Sequence, residues 1–269
     1  MTCREYIENY EIIKENGDMW QYFKDLKKRD PAQYEKGLNE WKNVGIIYHS
    51  TTYNNLVNIL YDDYLESKIG RYPIIRQNKY SFSSIIWFSR NKNFGYNFRR
   101  TNNSSDIRFV VDGSKLSNNY EILPFRNTAF YEEIKNNFQV INMLRNELGM
   151  TLSDIDEQAE VIFDKDINNF ITNYVQKIEI HFDIRRFIDF LDSLIKIKDK
   201  HYKGIYELNN ALSSTFKVKM SEKIEDTLKL ILNGSYNLTN IIQKIISIIN
   251  DFYKLNIRQH NISKIEVIK

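Results

Sequence analysis

Gln158 and Glu160 are the residues of this chain whose types and spacing point most directly to chemistry. They lie in Asp154-Ile-Asp-Glu-Gln-Ala-Glu-Val-Ile-Phe163, where acidic residues crowd the start of a short apolar run. Residues two apart on a strand project from one face, so a strand here sets an amide and a carboxylate side by side, with Glu157 next to them. A carboxylate held in that way can stabilise positive charge developing at a carbon centre or align an incoming nucleophile. Solvated acidic residues in front of an ordinary strand are the structural alternative.

Two further stretches carry ligand-binding chemistry. In Val44-Gly-Ile-Ile-Tyr-His-Ser-Thr-Thr-Tyr53 an apolar run opens onto His49 and three hydroxyls, and Leu56, Ile59 and Leu60 then recur at helical spacing. Thr51 and Thr52 are placed to cap that helix, since a side-chain oxygen there can accept from backbone N–H groups that otherwise lack a partner. A histidine beside a strand is also commonly a structural residue. The other stretch is the run Ile85-Ile-Trp-Phe88, a core strand ending in Ser89 and Arg90. Trp87 or Phe88 can stack on a flat ring, and Ser89 with Arg90 can contact an amide or a phosphate. The segment Arg90–Arg100 interleaves Arg90, Lys92, Arg99 and Arg100 with Phe94, Tyr96 and Phe98. Such a loop suits a dinucleotide or a single-stranded nucleic acid, and solvated charge is the plain alternative.

Tyr48-His-Ser-Thr51, followed by an apolar helix and by Leu60-Tyr-Asp-Asp-Tyr-Leu65, resembles the opening of the ADP-ribosyltransferase fold. There His-Gly-Thr or a close variant precedes a helix and an Ile-Leu-x-x-Gly-Leu turn; here Ser50 replaces the usual glycine and Tyr64 the turn glycine. The Trp87 strand and the Gln-x-Glu of Gln158 and Glu160 are similar to the second and third motifs of that fold. Val111-Asp-Gly-Ser-Lys-Leu-Ser-Asn-Asn-Tyr120 is similar to a segment of phage-encoded members, with Lys115, Ser117 and Asn119 carrying the likeness. The resemblance covers residues 44–182.

It implies a mono-ADP-ribosyltransferase, toxin-like in type, that consumes NAD as substrate without a metal and modifies a macromolecular acceptor. Glu160 is then the catalytic acid on the nicotinamide ribose, and Gln158 or Glu157 positions the acceptor. His49, Ser50, Thr51, Trp87, Phe88, Ser89 and Arg90 contact the cofactor, and Tyr96 covers the nicotinamide. An RNA 2′-phosphotransferase on a related fold, and a non-catalytic binding or virion-associated protein on the same fold, remain open. The net charge of +3, from 38 basic and 35 acidic residues, favours a protein acceptor over a nucleic acid.

The elements that must position these residues read as α+β: a split mixed or antiparallel sheet core over 44–182, a helical arm over 1–43 and a helical region over 183–269 with a final strand. In the arm, Trp20, Tyr22, Phe23 and Leu26 form a packing stripe. Asp106–Asp112 reads as a strand, Asp112-Gly113 as a turn, and Lys115–Pro124 as a returning strand, a hairpin-like unit. A helical insertion follows over 127–147. Ile178, Ile180 and Phe182 alternate as in a strand. From 183 the apolar positions recur at helical spacing: Ile184, Phe187, Ile188, Leu191, Leu194 and Ile195, then Ile224, Leu228, Ile231 and Leu232, then Ile241, Ile242, Ile245, Ile249 and Phe252. Residues 262–269 read as a last strand.

Composition narrows the class. Of 269 residues 42% are hydrophobic and 14% aromatic, with only 9 Gly and 3 Pro, which describes a globular chain with few linkers. The single cysteine, Cys3, excludes an internal disulfide and a cysteine metal cluster and agrees with a reducing compartment, the cytoplasm, or the host cytoplasm for a phage-encoded chain. No apolar signal core or run of about 18 apolar residues is present, so no membrane association is expected. His49, His181, His201 and His260 are too scattered to read as metal ligands. Neither a phosphate-binding P-loop nor a His-Glu-x-x-His or Gly-x-Ser-x-Gly motif occurs.

Overall fold

The computed structural model describes residues 28, 30–32, 45–67, 85–90, 92, 106–120, 122, 158–163, 165–198, 204–233 and 237–268, with the backbone alone for 85 and 158–163. Most of the arm over 1–43, the loop residues 93–100 with Tyr96, and the insertion over 127–147 lie outside the described residues. In chain order the first elements are β1 (Ile46–Thr51), α1 (Tyr53–Asp62), β2 (Tyr64–Leu65), β3 (Ile85–Ser89), β4 (Ile107–Asp112) and α2 (Gly113–Asn119). Then come β5 (Gln158–Phe163), β6 (Ile167–Asn168), α3 (Phe170–Asn173), β7 (Val175–His181) and α4 (Ile184–Lys198). The last are α5 (Ile205–Phe216), α6 (Ile224–Asn233), α7 (Leu238–Tyr253), α8 (Gln259–Ser263) and β8 (Ile265–Ile268). The protein is α+β.

The chain forms two compact units that interleave along the sequence: Met1–His49, Leu65–Ser104 and Val111–Asn168 make the first, and Ser50–Tyr64, Ser105–Val110 and Asn169–Lys269 the second. Strands β1 and β4 each contribute residues to both.

In the first unit β3 pairs antiparallel with β1 on one side and with β5 on the other. Strand alternation sorts its side chains: Ile47, Ile86 and Phe88 are buried in the unit's core, while Tyr48 and Trp87 are half-exposed. The hairpin expected after Asp112 does not form. Gly113–Asn119 is a helix, and Asp112 is its N-cap, with its carboxylate accepting from Lys115 N at 3.0 Å. Ser117 Oγ donates to Ser114 O and Asn119 Nδ2 to Lys115 O. These hydroxyl and amide groups, which fell in the expected returning strand, satisfy helix carbonyls instead. The glycine serves close approach: Gly113 N donates to Gly45 O at 2.7 Å, and a Cβ on Gly113 would lie 2.7 Å from that same oxygen.

In the second unit β7 pairs parallel with β8, from Ile178 opposite Ile265 to His181 opposite Ile268, so the last strand is present as expected. Helix α7 holds it in place. Gln243 Nε2 donates to Ile265 O at 2.7 Å, and Thr239 Oγ1 accepts from Val267 N at 2.9 Å. Ile178 and Ile180 are buried, and so is Glu179 between them, because it pairs with the equally buried Arg108 of β4; Arg108 Nε donates to Glu179 Oε2 at 2.7 Å. The helical positions expected from periodicity are mostly core: Phe187, Leu191, Leu194, Leu228, Ile231, Ile242, Ile245 and Ile249 are buried, whereas Phe252 is exposed. Phe187 stacks on Phe190, which also meets Tyr53 of α1.

Helix α1 ends on Asp63, whose φ of 51° is left-handed. This residue, rather than Tyr64, carries the backbone geometry that a glycine would relieve. Its carbonyl accepts from Phe170 N, and its carboxylate from Ile171 N at 2.6 Å and Thr172 N at 3.2 Å. One side chain thus closes α1 and caps the start of α3.

Candidate functional site

Apolar β-branched and aromatic residues favour extended backbone in Ile46–Tyr48 and Ile85–Phe88, and pairing of β1, β3 and β5 sets the three chemistry-bearing motifs on neighbouring strands. Tyr48 is opposite Ser89, Ser89 is opposite Gln158, and Trp87 is opposite Glu160, with a register shift between Ile86 and Trp87. The Gln158 and Glu160 positions therefore adjoin the strand that ends in Trp87, Phe88 and Ser89.

His49 lies one residue out of the Tyr48–Ser89 row. Its ring tilts against Phe88, with centroids 5.7 Å apart, and its Nδ1 is 2.7 Å from the Trp87 carbonyl oxygen. A carbonyl can only accept, so Nδ1 carries the proton. Burial lowers the His49 pKa from its ordinary value, and the bond to the Trp87 carbonyl partly opposes that. The ring is therefore neutral at pH 7 and donates to β3 through a fixed tautomer.

The two aromatics proposed for ring stacking separate cleanly. Phe88 is only 1% exposed and is a core residue. Trp87 is half-exposed and is the one of the pair with surface to offer a ligand. Ser89 is buried beside Tyr48, and Arg90 is half-exposed at the strand end.

Ser50 and Thr51 belong to the second unit. Ser50 is half-buried on β1, and Thr51 is buried with its Oγ1 accepting from Asn55 Nδ2 at 2.9 Å. The expected side-chain cap on α1 is absent. Thr52 occupies the N-cap position with extended backbone, and its carbonyl accepts from Leu56 N, but its hydroxyl makes no capping bond. The Thr51 hydroxyl bonds the Asn55 amide instead.

Tyr48 adjoins these motifs on β1 without having been singled out by its chemistry. Its neighbour His49 draws attention as the titratable group, yet Tyr48 is the β1 residue in register with Ser89. Its position in the Ile46–Tyr48 run says only that it alternates with Ile47; which of the two faces the core depends on strand pairing. Among the described residues no three or more His, Cys, Asp or Glu side chains converge as a metal site requires, and no helix is long and apolar enough to cross a membrane.

Comparison with protein-family models, with curated proteins and with solved structures finds no match to this chain.

Proposed function

We propose that the β1–β3–β5 surface binds NAD and that the protein is a mono-ADP-ribosyltransferase acting on a macromolecular acceptor, a protein in preference to a nucleic acid. The observation that carries this reading is the strand register, with Trp87 opposite Glu160 and Ser89 opposite Gln158. A half-exposed tryptophan and a serine on β3 are thus in register with a glutamate and a glutamine on β5, from a distant part of the sequence.

The chemistry asked of each is specific. The nicotinamide ring of NAD carries a positive charge, and the face of Trp87 attracts it. Breaking the bond between nicotinamide and the ribose anomeric carbon leaves that carbon electron-poor, and the Glu160 carboxylate stabilises it while bonding the ribose hydroxyls. The bonding electrons leave with nicotinamide, which becomes neutral. The acceptor nucleophile then bonds the anomeric carbon and loses its proton, with Gln158 aligning it. His49 acts through β3, by fixing the carbonyl of the residue that presents its ring to the cofactor.

The test is incubation of the purified protein with radiolabelled NAD and a cell lysate. Label moves to protein with the wild type. Glu160→Gln lowers the rate by about 100- to 1,000-fold, with NAD affinity changed only a few-fold, because the lost charge matters most in the transition state. An unchanged rate removes Glu160 from the chemistry. Binding of NAD without transfer selects a non-catalytic protein, and a wild type that neither binds NAD nor transfers label refutes the reading.

A further inference from the structure

Helix α7 carries more apolar surface than its own unit covers. Ile242, Ile245, Ile246 and Ile249 are buried in the core, and on one flank Thr239 and Gln243 bond β8 while Ser247 bonds Gln259 of α8. On the other flank Ile241 and Ile248 are half-exposed and Phe252 is 39% exposed. Residues 241, 245, 248 and 252 follow the 4-3-4 spacing with which one helix presents a continuous apolar edge to another. Phe252 packs at the start of α5, where a Cβ on Gly204 would lie 3.2 Å from its ring, and Tyr206 just beyond is 66% exposed. Lys244 and Asp251 border the same flank of α7. Both are exposed, and neither forms a hydrogen bond or ion pair with another described residue.

Opposite charges about two turns apart on one helix face match a second copy of themselves in one direction only. When two such helices run antiparallel about a two-fold axis beside Ile248, Lys244 faces the partner's Asp251 and Asp251 the partner's Lys244. Ile248 then meets its own counterpart near the axis, and Phe252 of each copy overlies Ile241 of the other. A parallel pairing would instead set lysine on lysine and aspartate on aspartate. We infer that α7 is the self-association surface of this protein, docking antiparallel on α7 of a second copy in a two-fold dimer. Such an interface is the same patch used twice, so it must be complementary to itself, and the Lys244 and Asp251 pair supplies that. A helix lying on a membrane surface is rich in Lys and Arg beside its apolar face, and a nucleic acid repels carboxylates; a balanced lysine and aspartate suit neither. The 16 residues of α7 span about 24 Å, a contact at the small end of specific interfaces and of micromolar affinity. The surface lies wholly within the second unit and owes nothing to the NAD reading of the first.

The experiment is sedimentation equilibrium of the full chain over a range of concentrations, on the wild type, Lys244→Glu, Asp251→Lys and the double variant. Both side chains are exposed and unpaired within the chain, so each variant keeps the fold, which thermal unfolding checks. The wild type dimerises. Each single variant turns both attractive pairs of the dimer into repulsive ones, and the dissociation constant rises by about 5- to 50-fold. The two single variants shift net charge in opposite directions, so a loss in both is not an effect of overall charge. The double variant restores the pairs with their signs exchanged and returns to within about 2-fold of the wild type. Added salt narrows the spread between variants. Ile248→Lys, which brings two ammonium groups together at the axis, leaves only monomer. A wild type that stays monomeric overturns the inference, as does a dimer that either single charge variant or Ile248→Lys leaves unchanged, or one that the double variant fails to restore.

Discussion

Replacing Asp63 separates two demands that one residue meets in the second unit. Its backbone is left-handed at φ 51°, and its carboxylate accepts from Ile171 N at 2.6 Å and Thr172 N at 3.2 Å. Ile171 is fully buried, so its N–H cannot turn to water when the acceptor goes; a stranded buried donor costs about 1–3 kcal/mol. Thr172 is half-buried and recovers part of its loss from solvent. The Arg258 contact to the carboxylate, at 3.2 Å, comes from a guanidinium 53% exposed and contributes only about 0.5 kcal/mol. An alanine must also hold the left-handed conformation, at about 1 kcal/mol more than residues suited to it.

The sum for Asp63→Ala is about 3–4 kcal/mol. Asp63→Gly relieves the backbone but still strands the donor, about 2–3 kcal/mol, and Asp63→Asn keeps both an acceptor oxygen and tolerance of positive φ, about 1 kcal/mol. Urea unfolding followed by far-UV circular dichroism reads the second unit, to which seven of the eight described helices belong. The order Ala, Gly, Asn from most to least damaging is the signature. An alanine variant within about 1 kcal/mol of the wild type, or an asparagine variant as unstable as alanine, refutes the reasoning.

Three other outcomes follow from the geometry. Gly113→Ala puts a Cβ 2.7 Å from the backbone oxygen of Gly45, which cannot swing aside as a side chain would, and costs about 1–3 kcal/mol in denaturant unfolding. Glu179→Ala strands the guanidinium of Arg108, only 3% exposed, and costs about 3–5 kcal/mol; replacing Arg108 by Met and Glu179 by Leu together restores most of that, and a double variant as unstable as the single one excludes the pair as the cause. The lowered pKa of His49 means that below its ordinary value of 6.5 the unfolded chain takes up a proton that the folded one resists. Its contribution to stability is therefore complete above that pH and falls as the pH drops through the window down to the folded pKa. His49→Gln, which can still donate to the Trp87 carbonyl, flattens the dependence; unfolding midpoints at mildly acidic and neutral pH, equally separated in variant and wild type, would exclude His49 as its source.

What the sequence determined by itself is what local periodicity can encode. The runs at Ile46, Ile85 and Ile107 and the alternation of Ile178 and Ile180 are in strands, with Phe182 one residue past the end of β7, the spacing from Ile184 onward is helical, and the final residues form a strand against β7, because alternation and 3.6-residue repeats survive without knowledge of neighbours. The segment after Asp112 read as a turn and a returning strand, whereas Gly113–Asn119 is a helix. Aspartate followed by glycine suits a turn and a helix N-terminus equally, and the choice falls to the close approach of Gly113 to Gly45. Period is local, but phase is not. That Tyr48 and Trp87 are the outer residues, that Phe88 and His49 pack inward, and that Glu160 stands opposite Trp87 all depend on how β1, β3 and β5 align. A slip of one residue in that alignment would exchange every face, so only the tertiary pairing decides which side of each strand can meet a ligand.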